Sequence, residues 1–319
     1  MNEKCAIGVD LGGTKIEIAA VSSEGKVLSK LRTPTDIAGG PTAIEEQILK
    51  AVESLIDKIE AKPVGIGVGI AAQIDDTQGV IRSAPNLNWR DVPFQENLKT
   101  LTKLPVVLTN DVRAAAWGEW LYGAGKDATD MICMFVGTGI GGGIVSGGKM
   151  LNGCSNTAGE VGHIVIRAHG PECHCGSVGC LEAVAGGWAI AERAKQAVAS
   201  ETELGKTLLA KAKGNLDQIT TALVAEAFHE GDLLAKHLIN ETAEALIDGC
   251  ISLTNAFNPC RFIFGGGVIE GMPHLVKEIE EGVRKRALAV ATERLSFLHA
   301  TLGNDSGVIG AAALVLKTF

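Results

Sequence analysis

The stretch CAIGVDLGGTKIEIAAV, Cys5–Val21, decides the fold. Cys5–Asp10 is a short apolar run that leads into Gly12-Gly13. Lys15–Val21 then alternates apolar and polar residues, as a half-buried strand does. The stretch predicts strand, glycine turn, strand. Glu24-Gly25 adds a further turn, and Lys26–Arg32 a third strand. Beyond it, Pro41–Lys58 has helical periodicity and Val64–Ala71 is a buried strand with interleaved glycine. Val106–Thr109 is another strand, leading into a helix over Asp111–Tyr122.

The same pattern recurs further along. Met131–Val136 is an apolar strand, Gly137–Gly143 a glycine-rich turn, Ile144-Val145 the start of a strand and Ser146-Gly147-Gly148 a second turn. This internal duplication predicts two related α/β halves. The second half is rich in helix, with 3.6-residue spacing over Trp188–Ser200, Thr220–Glu230 and Leu233–Ala256. Arg261–Phe264 reads as a strand closed by Gly265-Gly266-Gly267. Pro273–Ala291 reads as a helix, Phe297–Thr301 as a strand and Val308–Lys317 as the last helix.

The chain of 319 residues is 46% hydrophobic and 21% charged, which supplies ample core and fits two domains. A formal net charge of -8 argues against nucleic acid as a partner, since such proteins carry a basic face. No export signal is read at the start, and Val308–Leu316 is too short to span a bilayer, so a cytoplasmic protein without membrane contact is expected. Of eight cysteines, Cys173, Cys175 and Cys180 are bunched. In a reducing compartment, bunched thiols point to a metal rather than to disulfides.

Five motifs carry chemistry. In Asp10-Leu11-Gly12-Gly13-Thr14-Lys15, two glycines at a strand-to-strand turn offer backbone N–H groups to phosphate oxygens, and Asp10 can hold Mg²⁺ or its waters. Alone, this is also an ordinary hairpin. Gly137-Thr138-Gly139-Ile140-Gly141-Gly142-Gly143 matches a dinucleotide fingerprint formally, but a strand follows it where that fingerprint needs a helix, so a second phosphate turn is the better reading. Asn110 is a good helix cap; Asp111, in the first turn of that helix, can take the proton of an attacking hydroxyl. Gly265-Gly266-Gly267 allows close approach of a nucleoside, or simply a tight turn.

The fifth motif joins Gly159-Glu160-Val161-Gly162-His163 to Cys173-His174-Cys175-Gly176-Ser177-Val178-Gly179-Cys180-Leu181-Glu182. Three thiols reach one ion only if the loop turns tightly, which Gly176 and Gly179 permit. Zinc takes four such ligands in a tetrahedron. The fourth is His163, His169 or His174. His174, flanked by ligand cysteines, is expected to point away, which favours His163. Closure of this site gathers Glu160, His163 and Glu182, groups suited to a polyhydroxylated ligand.

Together these pieces resemble the ROK family of sugar kinases and sugar-responsive repressors, over essentially the whole chain. The resemblance implies an actin/hexokinase-like (ribonuclease H-like) two-domain α/β fold with the active site in the interdomain cleft. It implies a small domain over 1–118, to which a helix at about 304–319 returns, and a large domain over 119–303 with the zinc site. It implies an ATP-dependent hexose kinase, a glucokinase acting on O6, with Mg²⁺ and structural Zn²⁺, assembled as a homodimer or homotetramer. Asp111 would be the base. Asn86, Asn110, Glu160, His163 and Glu182 would hold the sugar. Asp10, Gly12, Gly13, Thr14, Lys15, Gly137, Thr138 and Gly139 would surround the ATP phosphates, with Gly266 and Gly267 at the nucleoside. His163, Cys173, Cys175 and Cys180 would bind zinc. The chain departs from many relatives at Ala71-Ala72-Gln73-Ile74-Asp75, where they have Pro-Gly before x-x-Asp.

Rival readings are a kinase of N-acetylmannosamine, N-acetylglucosamine, fructose or mannose, a catalytically dead sugar-binding protein, and a repressor. A repressor needs a helix-turn-helix segment ahead of the first phosphate turn, and here that turn begins at residue 10. Retention of Asp10, Asp111 and both glycine turns counts against a dead protein.

Overall fold

The computed structural model describes residues 4–200 and 203–318. In chain order the strands and helices are β1 (Cys5–Leu11), β2 (Lys15–Ser22), β3 (Val27–Pro34), α1 (Gly40–Ile56), β4 (Pro63–Ile70), β5 (Gln73–Asp75), β6 (Val80–Ala84), β7 (Trp89–Val92), α2 (Phe94–Thr102), β8 (Val106–Asn110) and α3 (Asp111–Tyr122). There follow β9 (Met131–Val136), β10 (Ile140–Ser146), β11 (Lys149–Met150), α4 (Leu181–Ala185), α5 (Gly187–Ala199), α6 (Lys206–Lys211), α7 (Thr221–His229) and α8 (Leu233–Phe257). Last come β12 (Arg261–Gly265), α9 (Gly267–Gly271), α10 (His274–Arg286), α11 (Ala289–Thr292), β13 (Ser296–His299) and α12 (Ser306–Thr318). Among the described residues no helix is long and apolar enough to cross a membrane.

Contacts divide the chain into two units. The first holds the described residues up to Ala128, Met150–Gly159, and those from Ala300 on; the second holds Thr129–Lys149 and the described residues of Glu160–His299. Each is built on a five-stranded mixed sheet. The first sheet has the order β3-β2-β1-β4-β8, the second β11-β10-β9-β12-β13. In each, the leading strand pairs antiparallel with the strand after it and parallel with the next across a crossover. The repeat read from the two glycine turns is therefore a repeat of topology, and the class is α/β.

In the first unit the two faces of the sheet differ in side-chain size. Ile7, Val9, Ile16 and Ile18 join Ile44, Ile48 and Leu55 of α1 in one core cluster. Full burial of an isoleucine is worth about 1.5–3 kcal/mol, so this face holds sheet and helix together. The other face carries Ala6, Ala19 and Val21 against Val308, Ile309 and Ala312 of α12. Glycine sets the spacing there. A Cβ on Gly8 would stand 1.8 Å from the Val308 carbonyl oxygen, and one on Gly67 would stand 1.8 Å from that of Ala311. The α3–α12 contact is equally close, since a Cβ on Gly310 would lie 1.6 Å from the Ala114 carbonyl oxygen.

Three elements differ from the sequence reading. The turn at Gly137–Gly143 is confined to 137–139, because Gly141, Gly142 and Gly143 pair with Phe135, Met134 and Cys133 inside β10. The ladder to β9 fixes that backbone in spite of the poor strand propensity of glycine. The helix expected over Pro273–Ala291 breaks after Arg286, where the Arg284 guanidinium draws the chain back by donating to the carbonyls of Thr292 at 2.9 Å and Leu295 at 2.7 Å. A small sheet, β5-β6-β7, stands where the sequence reading assigns no strand beyond Ala71 until Val106.

Gly67→Ala is expected to destabilise the protein by at least about 2 kcal/mol, since backbone at 1.8 Å must move to admit the methyl. The thermal midpoint should fall by roughly 4–8 °C. Gly271→Ala, whose Cβ would meet nothing nearer than 3.9 Å, should leave it nearly unchanged. Equal midpoints for the two variants would show that the helix seat tolerates a side chain.

Candidate active site and metal centre

Open α/β sheets bind ligands at the carboxyl ends of their parallel strands. In the first unit β1, β4 and β8 are such neighbours. Asp10 lies at the end of β1, in register with Glu17 of β2 and Gly69 of β4. Asn110 ends β8 and Asp111 opens α3. Gly69 brings the helix close: a Cβ there would lie 3.3 Å from the Asp111 Cα. Gly307, at the start of α12, leaves comparable room, with its Cβ position 2.7 Å from Asp10 Oδ2. Burial, then the charges of Asp111 and Glu17, push the Asp10 carboxyl up to about 6, while Lys15 and Lys30 pull it down.

Asn110 makes the predicted cap. Its Oδ1 accepts from the N–H groups of Val112 at 3.0 Å and Arg113 at 3.1 Å, an arrangement worth about 1 kcal/mol. Gly12 closes the hairpin by donating its N–H to the Lys15 carbonyl at 3.0 Å, and its own carbonyl accepts from Thr35 Oγ1 at 2.7 Å. Thr14 is exposed. Asn86 packs on this turn, 3.2–3.3 Å from where a Gly13 Cβ would be. Lys15 is turned to Glu17, its Nζ 2.9 Å from Oε1, and Glu17 also faces Lys30 at 3.3 Å. Sequence reasoning missed Arg113, buried and bonded to Asn156 Oδ1 and to the Ala158 carbonyl at 2.9 Å. The signal was there: an arginine inside the apolar face of α3 must find partners.

In the second unit the turn at Gly137–Gly139 is held from below. Gly187 donates its N–H to the Gly137 carbonyl and Trp188 donates its own to Thr138, both at 2.9 Å. Glu182 Oε2 accepts from the Ile140 N–H at 2.8 Å and occupies the space a Gly139 side chain would need, 2.4 Å from its Cβ position. Glu160 is exposed and starts the short turn that carries His163. Gly266 has φ +89, and a Cβ on it would lie 2.5 Å from the Val136 carbonyl oxygen, so its glycine belongs to the turn. Gly267 lines a cavity of about 750 Å³ with Gly137, Thr138, Trp188, Lys195 and Asp217. That volume accommodates a nucleoside. Lys195 and Asp217 were not anticipated, because neither belongs to a glycine motif.

The thiols converge. One ligand atom from each of His163, Cys173, Cys175 and Cys180 lies within 4.8 Å of every other. Cys173 Sγ is 3.7 Å from His163 Nδ1, and Cys175 Sγ is 3.7 Å from Cys180 Sγ. Ligands about 2.0–2.3 Å from a tetrahedral centre stand roughly 3.5–3.8 Å apart, so donor chemistry and spacing both fit zinc. Gly176 at φ +89 and Gly179 at φ +76 make the tight turns. His174 lies outside this set of four and stacks on Trp188 with ring centroids 4.0 Å apart.

The model of the ROK family matches residues 6–318. The chain belongs to the ROK family. Its relatives include a glucokinase of Halalkalibacterium halodurans, 37% identical over 99% of this chain and 96% of the other. A ROK family glucokinase from Streptomyces griseus, crystallised with glucose and AMPPNP, superposes with a TM-score of 0.81 at 35% identity, covering 97% of this chain and 98% of that one. The ROK hexokinase of Thermus thermophilus does so with a TM-score of 0.84 at 32% identity, over 99% and 100%. The actin/hexokinase-like fold expected from the ROK resemblance is thereby established. In the Ala71–Asp75 segment, Asp75 serves its own loop. Hydrogen bonds from Thr77 and Arg82 hold its carboxyl down at about 2.

Asp10 generates a pH signature. The unfolded carboxyl releases its proton near 3.8 and the folded one near 6, so folding takes up a proton between them. Stability from this group is full below about pH 4 and is lost as pH rises through 6, by at most roughly 3 kcal/mol. Asp10→Asn should therefore raise the thermal midpoint at pH 7.5 and match the parent at pH 4. A variant less stable than the parent at pH 7.5 would contradict the strained carboxylate.

Proposed function

We propose that this ROK protein is an ATP-dependent hexose kinase, a glucokinase that transfers the γ-phosphoryl group of ATP to O6 of glucose. The observation that carries the reading is Asp111 at the carboxyl end of a parallel strand, its Cα 3.3 Å from the Cβ position of Gly69, the residue in register with Asp10. The similarity to glucokinases over nearly the full chain supports the sugar.

Asp111 is assigned as the base. It takes the hydroxyl proton as O6 bonds to the γ-phosphorus, and the bond from that phosphorus to the bridging oxygen breaks to release ADP. Asn86, Asn110, Glu160, His163 and Glu182 are assigned to the sugar hydroxyls. Gly12, Gly13 and Thr14, with Gly137, Thr138 and Gly139, are assigned to the phosphates, where backbone N–H groups meet developing negative charge. Gly267 and the cavity it lines are assigned to the nucleoside, and Gly266 shapes the turn beside it. Lys15, paired with Glu17, contributes charge near Asp10. Asp10 would hold the Mg²⁺ that accompanies ATP, which when bound neutralises charge on the phosphoryl oxygens.

His163, Cys173, Cys175 and Cys180 would hold zinc, which supplies the fold of the knuckle; four protein ligands leave no open position for chemistry. The protein would work in the cytoplasm at the entry of glucose into metabolism, as a homodimer or homotetramer, without nucleic acid or membrane partners.

Asp111→Asn should lower kcat at least about 100-fold while glucose affinity changes little. ADP release measured over glucose, mannose, fructose, N-acetylmannosamine and N-acetylglucosamine should favour glucose. An Asp111→Asn variant with most of its rate would end the base assignment, and preference for an N-acetyl sugar would replace glucose. Elemental analysis should find about one zinc per chain; a folded, active, metal-free enzyme would remove the zinc.

A further inference from the structure

Trp188 belongs to no motif, yet it touches three parts of the second unit. Its backbone N–H bonds to the Thr138 carbonyl at 2.9 Å. Its indole Nε1 lies 3.4 Å from Glu182 Oε1, and the other oxygen of that carboxylate accepts from the N–H of Ile140, just past the turn. Its ring stacks on His174, tilted by 20°, and packs against the buried cluster of Cys173, Cys180 and Ala183. Trp188 also lines the cavity that Gly137 and Thr138 open into.

Two routes thus run from the knuckle to the turn. One passes along the chain, from Cys180 through Leu181 to Glu182 and across to Ile140. The other runs from the His174 ring to the indole, and from there through the Trp188 backbone, whose N–H donates to the Thr138 carbonyl. The turn itself is glycine on either side of Thr138, so its conformation is not fixed by its own side chains. It is fixed by what it is bonded to.

We infer that Trp188 is a positioning residue that locks the Gly137–Gly139 turn to the Cys₃His knuckle, so that the knuckle sets affinity for the nucleotide triphosphate as well as its own fold. The inference rests on the reading of that turn as the donor-phosphate site. It goes beyond that reading by giving the knuckle a role in donor binding through residues that are not metal ligands.

His174 gives a clean test, being exposed and outside the ligand set. Removing an aromatic stack costs about 0.5–1.5 kcal/mol, which is roughly 2- to 13-fold in affinity. His174→Ala should retain about one zinc per chain by elemental analysis. Its Kd for ATP, measured by calorimetry on the full chain without sugar, should rise by about that factor, with the Kd for glucose within about twofold of the parent. His174→Phe, which keeps a ring against the indole, should restore the ATP Kd. An unchanged ATP Kd in His174→Ala, an equal loss of glucose affinity, or failure of His174→Phe to rescue would overturn the inference and leave the kinase reading standing. Loss of zinc from His174→Ala would overturn it too, by making His174 a ligand. A parent protein that binds no ATP would sink the donor reading, and the inference with it.

Discussion

Backbone lying directly on backbone is the constraint from which the first unit's chemistry follows. Gly8 and Gly67 let α12 settle on β1 and β4, and Gly310 lets it settle on α3. A methyl at any of these positions would overlap a carbonyl oxygen at 1.6–1.8 Å, so the helix could approach only after the backbone moved. With the seat intact, the starts of both helices come down on the strand ends. Gly69 meets Asp111, and Gly307 meets Asp10. The nearness of the two carboxylates is thus a product of helix seating; burial first, and then the charge of Asp111, raise the Asp10 carboxyl. Large apolar residues on the opposite face supply the burial that holds the arrangement together.

The duplicated topology puts different chemistry on equivalent strand ends. The first sheet ends in carboxylates, which attract a cation and accept a proton. The second ends in bare glycine at Gly137 and at Gly266-Gly267, which suits anionic and flat ligands that approach the backbone. Charge makes the division sensible. Carboxylates around the second turn would repel a triphosphate, and Glu182, which stands against that turn, is engaged by the N–H of Ile140. A lysine in the first turn would be expected on phosphate, but Lys15 is held by Glu17 within a cluster that includes Lys30 and Asp305.

Local patterns in the sequence carry the strands, most helices, the cap at Asn110 and the metal cluster, because each depends on nearby residues. The Cys-x-Cys-x₄-Cys spacing with two permissive glycines is a complete local instruction, and the four donors meet as expected. Other features depend on partners far along the chain. Gly8 looks like any glycine in a strand until Val308 lies across it, 300 residues on. Gly141–Gly143 look like a turn until β9 pairs with them. β5 is only three residues long and β7, Trp-Arg-Asp-Val, does not alternate; both are set by their partner β6. Trp188 reads as an ordinary core residue of α5, and only the arrival of His174 and the turn gives it a role.

The knuckle shows why a metal is the economical solution at this place. Its loop is short, and Val165 and Val178 remain 58% and 42% exposed, so it cannot build a core of its own. Gly179 is pressed so closely on Arg167 that a Cβ would lie 1.6 Å from its carbonyl oxygen, which leaves no space for apolar packing inside the turn. Burial pushes the Cys173 thiol up to about 12, and without an ion the cluster offers little beyond weak sulfur contacts. A divalent cation would ionise the thiols and replace these two loose contacts with four ligand bonds, contributing folding energy that the loop cannot obtain otherwise. The residues it would fix are those flanking the site: His163 and Glu160 on one side, Cys180 and Glu182 on the other. On that account the knuckle carries no reacting group, and its contribution is to hold Glu160, Glu182 and the backbone of the Gly137–Gly139 turn that Glu182 supports.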